Sequence, residues 1–245
     1  MIPVPEEKYD FYVYGMKRSG HHAIINWILN HYNSSIYYNN CIAQNDKIYY
    51  ANENEILKRG NEPYSIKVLS FEDRPNIDQS SIETVYKYRK PKKNILVLRD
   101  AYNNYASRFE KKTYPHKLNW TKKWHNYDDV EIWKKYAREF IGETNYLDAI
   151  KINYNSWFQD IEYRKKLSKN FGKFTDKGFQ QVPKFGNGSS FDSQKFNNNA
   201  QEMKVLERWK KFFNDKDYCE KIIKDKELEE LNKKIFNFVL PKKYI

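Results

Sequence analysis

The sequence predicts an α/β fold of the doubly wound kind, a central and mostly parallel sheet covered by helices. Three observations carry that expectation. Short runs that are apolar along their whole length recur, as strands buried on both faces require. They alternate with segments whose apolar residues return every three or four positions, the helical period. No internal repeat or linker divides the chain. Its 245 residues lie near the size at which a single core stops growing, so one domain spanning residues 1–245 is expected.

Taken in order, Asp10 to Tyr14 reads as a short buried strand ended by Gly15. A helix from Gly20 to Tyr32 follows, because Ala23, Ile24, Trp27, Ile28 and Tyr32 fall on one face. Ser65 to Ser70 and Asn94 to Leu98 are the next strands, the latter a compact ILVL run bounded by charge. Ala101 to Lys112 and Asp128 to Ile141 read as helices, Ala149 to Tyr154 as a fourth strand, and Trp157 to Phe171 as a helix. Gly172 to Asn199 is rich in Gly, Asn, Ser and Lys and reads as a long loop, a length that is usually functional or disordered. Two helices, Ala200 to Phe213 and Asp217 to Phe236, close the chain. In such a fold ligands bind at the carboxyl ends of the strands.

Composition bounds the function without fixing it. Lys plus Arg number 44 against 32 Asp plus Glu, a formal charge of +12, and this basic balance implies an anionic partner. The chain carries 21 Tyr, 15 Phe and 6 Trp; mixed with Lys and Arg they could stack single-stranded nucleic acid, although most such rings build cores. No stretch approaches the ~20 consecutive apolar residues of a membrane span, and the start, MIPVPEEKYD, has neither a basic head nor an apolar run. Two cysteines, Cys41 and Cys219, are too few for a disulfide framework or a cysteine-built metal site. A reducing, cytoplasmic setting is expected, and the Asn-X-Ser/Thr matches at Asn33, Asn119 and Asn187 then carry no message.

The segment FYVYGMKRSGHHAIINWIL has the order strand, glycine-bounded turn, amphipathic helix that a phosphate cradle requires. Gly15 and Gly20 let the backbone approach an anion, and the amides of the following helix point at it. Their spacing matches the start of G-x-x-x-x-G-K-[ST], but the last two positions are His21 and His22. Without that Lys nothing reaches β and γ phosphates, and without Ser or Thr no hydroxyl holds Mg²⁺. The positive charge lies ahead of Gly20 instead, on Lys17 and Arg18, with Ser19 adding a hydroxyl. Such a loop suits metal-free transfer of a sulfuryl group, which carries less charge than a phosphoryl group.

A second constellation lies in NILVLRDAYNNYASRF. Arg99 follows the ILVL strand directly, beside the ligand crevice, where its fork can grip a phosphate. Ser107 comes eight residues later, within the next helix, and can bind the same phosphate through its hydroxyl. Asp100 reads as a helix cap or an ion-pair partner.

These segments resemble the sulfotransferases that use 3′-phosphoadenosine 5′-phosphosulfate, a family with a P-loop-like three-layer fold. GMKRSGHHAII resembles the family's 5′-phosphosulfate loop, particularly in the glycan-modifying branch. Arg99 to Ser107 resembles its 3′-phosphate motif, and GNGSSFD, from Gly186 to Asp192, resembles the loop that closes over the nucleotide, here through Ser189, Ser190 and Phe191. The resemblance implies sulfuryl transfer from that nucleotide to a hydroxyl acceptor, glycan or small molecule, with adenosine 3′,5′-bisphosphate as product and no metal. Two departures stand out. The family's catalytic lysine, two residues before the glycine, is Arg18 here with Lys17 beside it, and Arg does not replace Lys neutrally. The family's loop hydroxyls are His21 and His22, which are expected to bind the 5′-phosphate as cations.

Transfer to an alcohol needs a group to take its proton. VLSFEDRP brings Glu72 and Asp73 to the crevice edge; Glu72 is the first choice of base, and a surface pairing with Arg74 is its plain structural alternative. His21 and His22 are further candidates for the base, whereas His31, His116 and His125 carry no motif. The acceptor pocket is expected to include Tyr114 to Tyr127. Two rival functions remain, an atypical P-loop kinase requiring ATP and Mg²⁺, and a non-catalytic binder of nucleic acid or acidic polymer whose affinity falls steeply with salt.

Overall fold

In the computed structural model the described residues are 1–44, 47–73, 77–88, 90–110, 129–184 and 188–241. The nine strands among them are β1 Ile2–Pro3, β2 Phe11–Gly15, β3 Ser35–Tyr38, β4 Ile42–Gln44, β5 Lys47–Tyr50, β6 Ile56–Arg59, β7 Ile66–Glu72, β8 Lys93–Leu98 and β9 Ala149–Asn153. Six form the main sheet in the order β6-β3-β7-β2-β8-β9; the other three form a small antiparallel sheet, β1-β5-β4. Within the main sheet the β3, β7, β2, β8 and β9 neighbours are parallel, and only the edge strand β6 runs against β3.

Both faces of this sheet are covered, and strand alternation shows it. Tyr12, Tyr14, Leu69, Phe71, Leu96 and Leu98 belong to one apolar cluster together with residues of helices α2 (Gln79–Tyr88), α3 (Ala101–Glu110), α4 (Asp129–Ile141) and α8 (Lys226–Phe236). Phe11, Val13, Ile66, Val68, Ile95 and Val97 belong to a second, with α1 (His21–Leu29), α5 (Tyr154–Gln159) and α6 (Ile161–Ser168). The period of two puts alternate residues into opposite cores, giving a three-layer α/β architecture with a mostly parallel central sheet. No described helix is long and apolar enough to cross a membrane.

The four strands read from the sequence are present with ends shifted by a residue or two; β3 and β6, added beyond them, are short and Tyr- or Lys-bearing. Three helical readings need correction. The expected helix over 157–171 starts at Tyr154 and breaks at Asp160, whose extended backbone and carboxylate cap α6 through the Glu162 amide at 2.8 Å. The expected helix over 217–236 is a helical turn, α7 (Lys216–Tyr218), a π stretch at Cys219–Ile223, and then α8, capped by Asp225 onto the Leu228 amide at 2.9 Å. The expected helix over 200–213 is instead two 3₁₀ turns, Ala200–Glu202 and Arg208–Lys211. Arg99 donates to the Val205 carbonyl and Asn103 to the Leu206 carbonyl, so groups that a helix would use internally are claimed from outside. Of the expected loop 172–199, the described residues carry one isolated bridge, Ser189 with Ser193.

Helix α3 is tied at its first turn from α8: the fully buried Asn232 accepts from the Ala101 amide at 2.8 Å and donates to the Phe238 carbonyl at 2.8 Å. Truncation leaves a buried amide unpaired, so Asn232→Ala is expected to lower stability by ~1–3 kcal/mol. Urea unfolding checks this as a shift in midpoint at constant slope; an unshifted midpoint removes the tie from the account.

Candidate functional site

Strand β2 sits at the switch point of the sheet, because the chain leaves it toward β3 on one side and returns through β8 on the other. Ligand crevices of open α/β sheets form there. The turn that follows has two left-handed residues, Arg18 at φ 69° and Gly20 at φ 80°. Gly20 also opens α1, and the Gly20 and His21 amides have no carbonyl partner among the described residues. The result is a concave set of amides at the positive end of a helix, an anion cradle by construction. A Cβ at position 20 would lie 1.9 Å from the Tyr154 ring, so this position requires glycine on two counts.

A buried ion pair supports the loop from below. Asp73 accepts from the Lys17 amide at 3.0 Å and from Arg108 at 2.9 and 3.2 Å, and both charged residues are buried. Burial pushes the Asp73 carboxyl upward, but the Arg108 guanidinium and the Lys17 charge outweigh it and hold the group below the usual carboxylate value. The Lys17 carbonyl in turn accepts from Asn104 at 3.2 Å and Arg108 at 3.3 Å. The loop backbone is therefore held on both sides of Lys17.

On the β8 side of the loop two guanidiniums converge on one hydroxyl. Ser107 Oγ accepts from Arg99 at 3.2 Å and from Arg208 at 3.0 Å, while donating to the Asn103 carbonyl at 2.9 Å. Arg99, 2% exposed, also donates to the carbonyls of Arg18, at 3.0 Å, and Val205. Three of its five N–H donors are thus engaged, and its buried Nε has no partner. Arg208 donates to Ser189 Oγ at 2.7 Å and lies 3.5 Å from Asp192, with its guanidinium over the Phe191 ring. Burial first, and the neighbouring Arg99 charge next, push Arg208 down to about 10. Two cations this close and largely out of water, with Asp192 3.5 Å from Arg208 and the charge of Asp100 acting on Arg99, form a site that a further anion would relax.

A cavity of about 320 Å³ joins these features. Its lining near β8 and β9 includes Arg99, Arg208, Ser189 and Ser190 together with Tyr154, Trp157, Phe158 and Phe179. The Tyr154 ring meets Gly20 on one side and faces the Arg99 guanidinium at 5.2 Å. Near β7 and β3 the lining is His22, Asn39, Asn40, Glu55 and Glu72. His22 Nε2 donates to Asn39 Oδ1 at 2.9 Å and lies 3.7 Å from Glu72.

Of the residues singled out from the sequence, Lys17, Arg18, Gly20, His21, His22, Glu72, Arg99, Ser189 and Ser190 all line this one cavity. Ser19 is 1% exposed with its hydroxyl unpaired, inside the turn. Ser107 and Phe191 are not in the lining; the first holds both arginines and the second packs under Arg208. The expectation that His21 meets a phosphate as a cation is corrected by its setting. The ring is 2% exposed against the Gly15 backbone, and burial, then the His22 charge, push its pKa well below the ordinary value, so it is neutral. Tyr114 to Tyr127, His116, His125, Arg74 and Gly186 lie outside the described residues.

Sequence reasoning missed Arg208, Tyr154, Asn39 and Glu55. Arg208 had one signal, an arginine beside Trp209 in a segment that follows the Ser-rich loop, but its place depends on Asn103, which accepts from the Trp209 amide at 3.3 Å.

No protein-family model matches this chain, and no curated protein matches it. Among solved structures it is similar to that of the mouse sulfotransferase SULT7A1 complexed with PAP, at 13% identity, over 95% of this chain and 90% of that one, with a TM-score of 0.48.

Asp73 gives the site a pH signature. Its folded pKa is lowered, so its contribution is complete above the unfolded value of 3.8 and is lost as pH falls below that value through the folded one. At pH 7 Asp73→Asn is expected to cost ~3–5 kcal/mol, because Arg108 is left buried and uncompensated. Urea unfolding from pH 7 to pH 3 should show a constant difference between variant and parent that narrows only at the acid end. A difference that is flat throughout means the pair does not titrate as described.

Proposed function

We propose that this protein is a sulfotransferase that carries a sulfuryl group from 3′-phosphoadenosine 5′-phosphosulfate to a hydroxyl acceptor. The observation that carries the reading is the convergence of Arg99 and Arg208 on Ser107, alongside a separate amide cradle at Gly20. Two anion sites are joined by one aromatic ring, since Tyr154 meets Gly20 and Arg99 together. A nucleoside with phosphate at both ends matches that arrangement, and the apolar wall of Trp157, Phe158 and Phe179 suits a base. The loop has neither the Lys nor the Ser or Thr with which a nucleoside triphosphatase holds β and γ phosphates and Mg²⁺.

The residues present fit the group. Ser19 Oγ, Ser190 Oγ and Arg99 Nε are buried polar atoms without a partner; Ser190 and Arg99 line the cavity, and Ser19 lies in the turn between the lining residues Arg18 and Gly20. The Gly20 and His21 amides, Ser19, Lys17 and Arg18 would hold the 5′ end, and Arg99, Arg208 and Ser190 the 3′-phosphate. When bound, the nucleotide supplies an activated sulfuryl group: the acceptor oxygen forms a bond to sulfur, the bond from sulfur to the 5′-phosphate oxygen breaks, and adenosine 3′,5′-bisphosphate leaves with the electron pair. Lys17 and Arg18 stabilise the charge growing on the leaving oxygen. Arg18 is pushed down by burial and remains a cation at neutral pH, so it donates hydrogen bonds without giving up a proton. Glu72, at the end of β7 on the cavity wall, takes the acceptor's proton. His22 gives its Nε2 proton to Asn39 and lies 3.7 Å from Glu72, which favours Glu72 over the Nε2 atom of His22 as the base.

Calorimetric titration in the presence of EDTA tests the reading. Adenosine 3′,5′-bisphosphate is expected to bind without metal and more tightly than AMP or ATP, and Arg99→Ala and Arg208→Ala should each weaken it by ~2 kcal/mol, as loss of charge-assisted contacts does. Equal affinity for AMP, or a requirement for Mg²⁺ and ATP, overturns it.

Glu72→Gln should keep bisphosphate affinity and lower kcat on the order of 10²–10⁴-fold. Sulfuryl transfer at the parental rate would transfer the base role elsewhere.

A further inference from the structure

The two halves of the cavity differ in chemistry, and the sheet order explains why. Arg99 and Tyr154 follow β8 and β9, so the cationic and aromatic wall lies on one side of the β2 loop. Glu72 ends β7, Asn39 and Asn40 follow β3, and Glu55 immediately precedes β6, so the opposite wall gathers carboxylates and carboxamides. In a chain of formal charge +12 this wall runs against the overall balance.

Its hydrogen bonds are specific. Asn39, 5% exposed, accepts at Oδ1 from Tyr37 at 2.6 Å, His22 at 2.9 Å and Ser70 at 3.3 Å, and it donates through Nδ2 to Glu55. That donation leaves the other Glu55 oxygen for a ligand. Asn40 takes a left-handed φ of 48°, with its amide held by Ser70 Oγ at 3.2 Å and its side chain on the cavity wall. At the seam of the two halves His21 lines the same cavity, nine-tenths and more buried, with neither ring nitrogen paired. A neutral imidazole offers one donor and one acceptor, which is what a hydroxyl needs.

Resting on the sulfotransferase reading, we propose that the wall of Asn39, Asn40, Glu55 and Glu72 takes a neutral polyhydroxyl acceptor, a sugar without carboxylate or sulfate groups. The Glu55 and Glu72 carboxylates and the Asn40 carboxamide oxygen accept from sugar hydroxyls, Asn39 holds Glu55 in place, and the carboxamide nitrogens and His21 donate to those hydroxyls. The Arg18 charge already acts on Glu72 and, with Lys17, serves the donor's 5′ end, so an acidic sugar would set its anion beside Glu55 and Glu72 with no further cation to answer it, a like-charge contact that is unfavourable when desolvated. A phenol would find its apolar surface against polar groups left unpaired, while the cavity's aromatic side chains stand on the nucleotide side.

The test is an acceptor panel with the full chain and the phosphosulfate donor, reading bisphosphate release. Lactose, maltose and cellobiose represent neutral sugars; galacturonic acid and a chondroitin disaccharide represent acidic ones; 4-nitrophenol represents phenols. At least one neutral sugar is expected to exceed every acidic sugar and the phenol in kcat/KM by on the order of tenfold or more. Glu55→Gln should raise the KM for that sugar while leaving calorimetric bisphosphate affinity unchanged, and Glu55→Lys should narrow or reverse the preference over the acidic sugars. Preferred turnover of the phenol or an acidic sugar, or no turnover of any neutral sugar by protein that binds the bisphosphate, overturns this inference and leaves the sulfotransferase reading standing. Failure to bind the bisphosphate overturns both.

Discussion

Positive charge held out of water at the end of a parallel sheet is the constraint around which this molecule is arranged. Arg99, Arg108 and Arg208 are all buried, and Lys17 and Arg18 stand beside them. Like charges at such range in a low-dielectric setting repel strongly unless something answers them. Arg108 is answered by Asp73. Arg99 is hydrogen-bonded by carbonyl and hydroxyl oxygens, and the charge of Asp100 acts on it without a direct bond. Arg208 shares one of those oxygens and reaches Asp192 at the limit of an ion pair. Beneath the loop Arg108 has its carboxylate at 2.9 Å, whereas beside the cavity Arg208 has its own at 3.5 Å and Arg99 bonds only neutral oxygens, so the weaker pairing sits where a ligand can add negative charge.

The backbone is shaped by the same charges. The segment around residue 205 gives up helical hydrogen bonding because Arg99 and Asn103 take its carbonyls, and that distortion carries Arg208 into place. Structure and electrostatics are therefore not separable here: removing Arg99 changes the charge of the site and frees the strand of chain that bears the second arginine.

How much of this was legible in the sequence follows from how local each feature is. The loop from Gly15 to His22 and the placement of Arg99 depend on a strand, a turn and a helix contiguous in the chain, and their spacing announces them. The strands of the central sheet are legible for the same reason, since burial on both faces leaves uninterrupted apolar runs. Arg208 and Asn39 are not, because each is positioned by partners that are remote in sequence: Asn103 and Ser107 for the first, Ser70 for the second. The apolar spacing at 200–213 imitates a helix, and only tertiary hydrogen bonds decide otherwise. The charge state of His21 was also invisible, since it depends on the burial that the Gly15 backbone imposes.

Tyr154 packs where a side chain on residue 20 would have to go, and its ring also receives Arg99. These three positions consequently form one evolutionary unit. A descendant of this chain that acquires even a methyl group at position 20 must at the same time exchange the tyrosine for something smaller, and doing so strips the guanidinium of its π partner. Even that exchange leaves the left-handed φ of 80° at position 20, so glycine there is held by the backbone as well as by the ring.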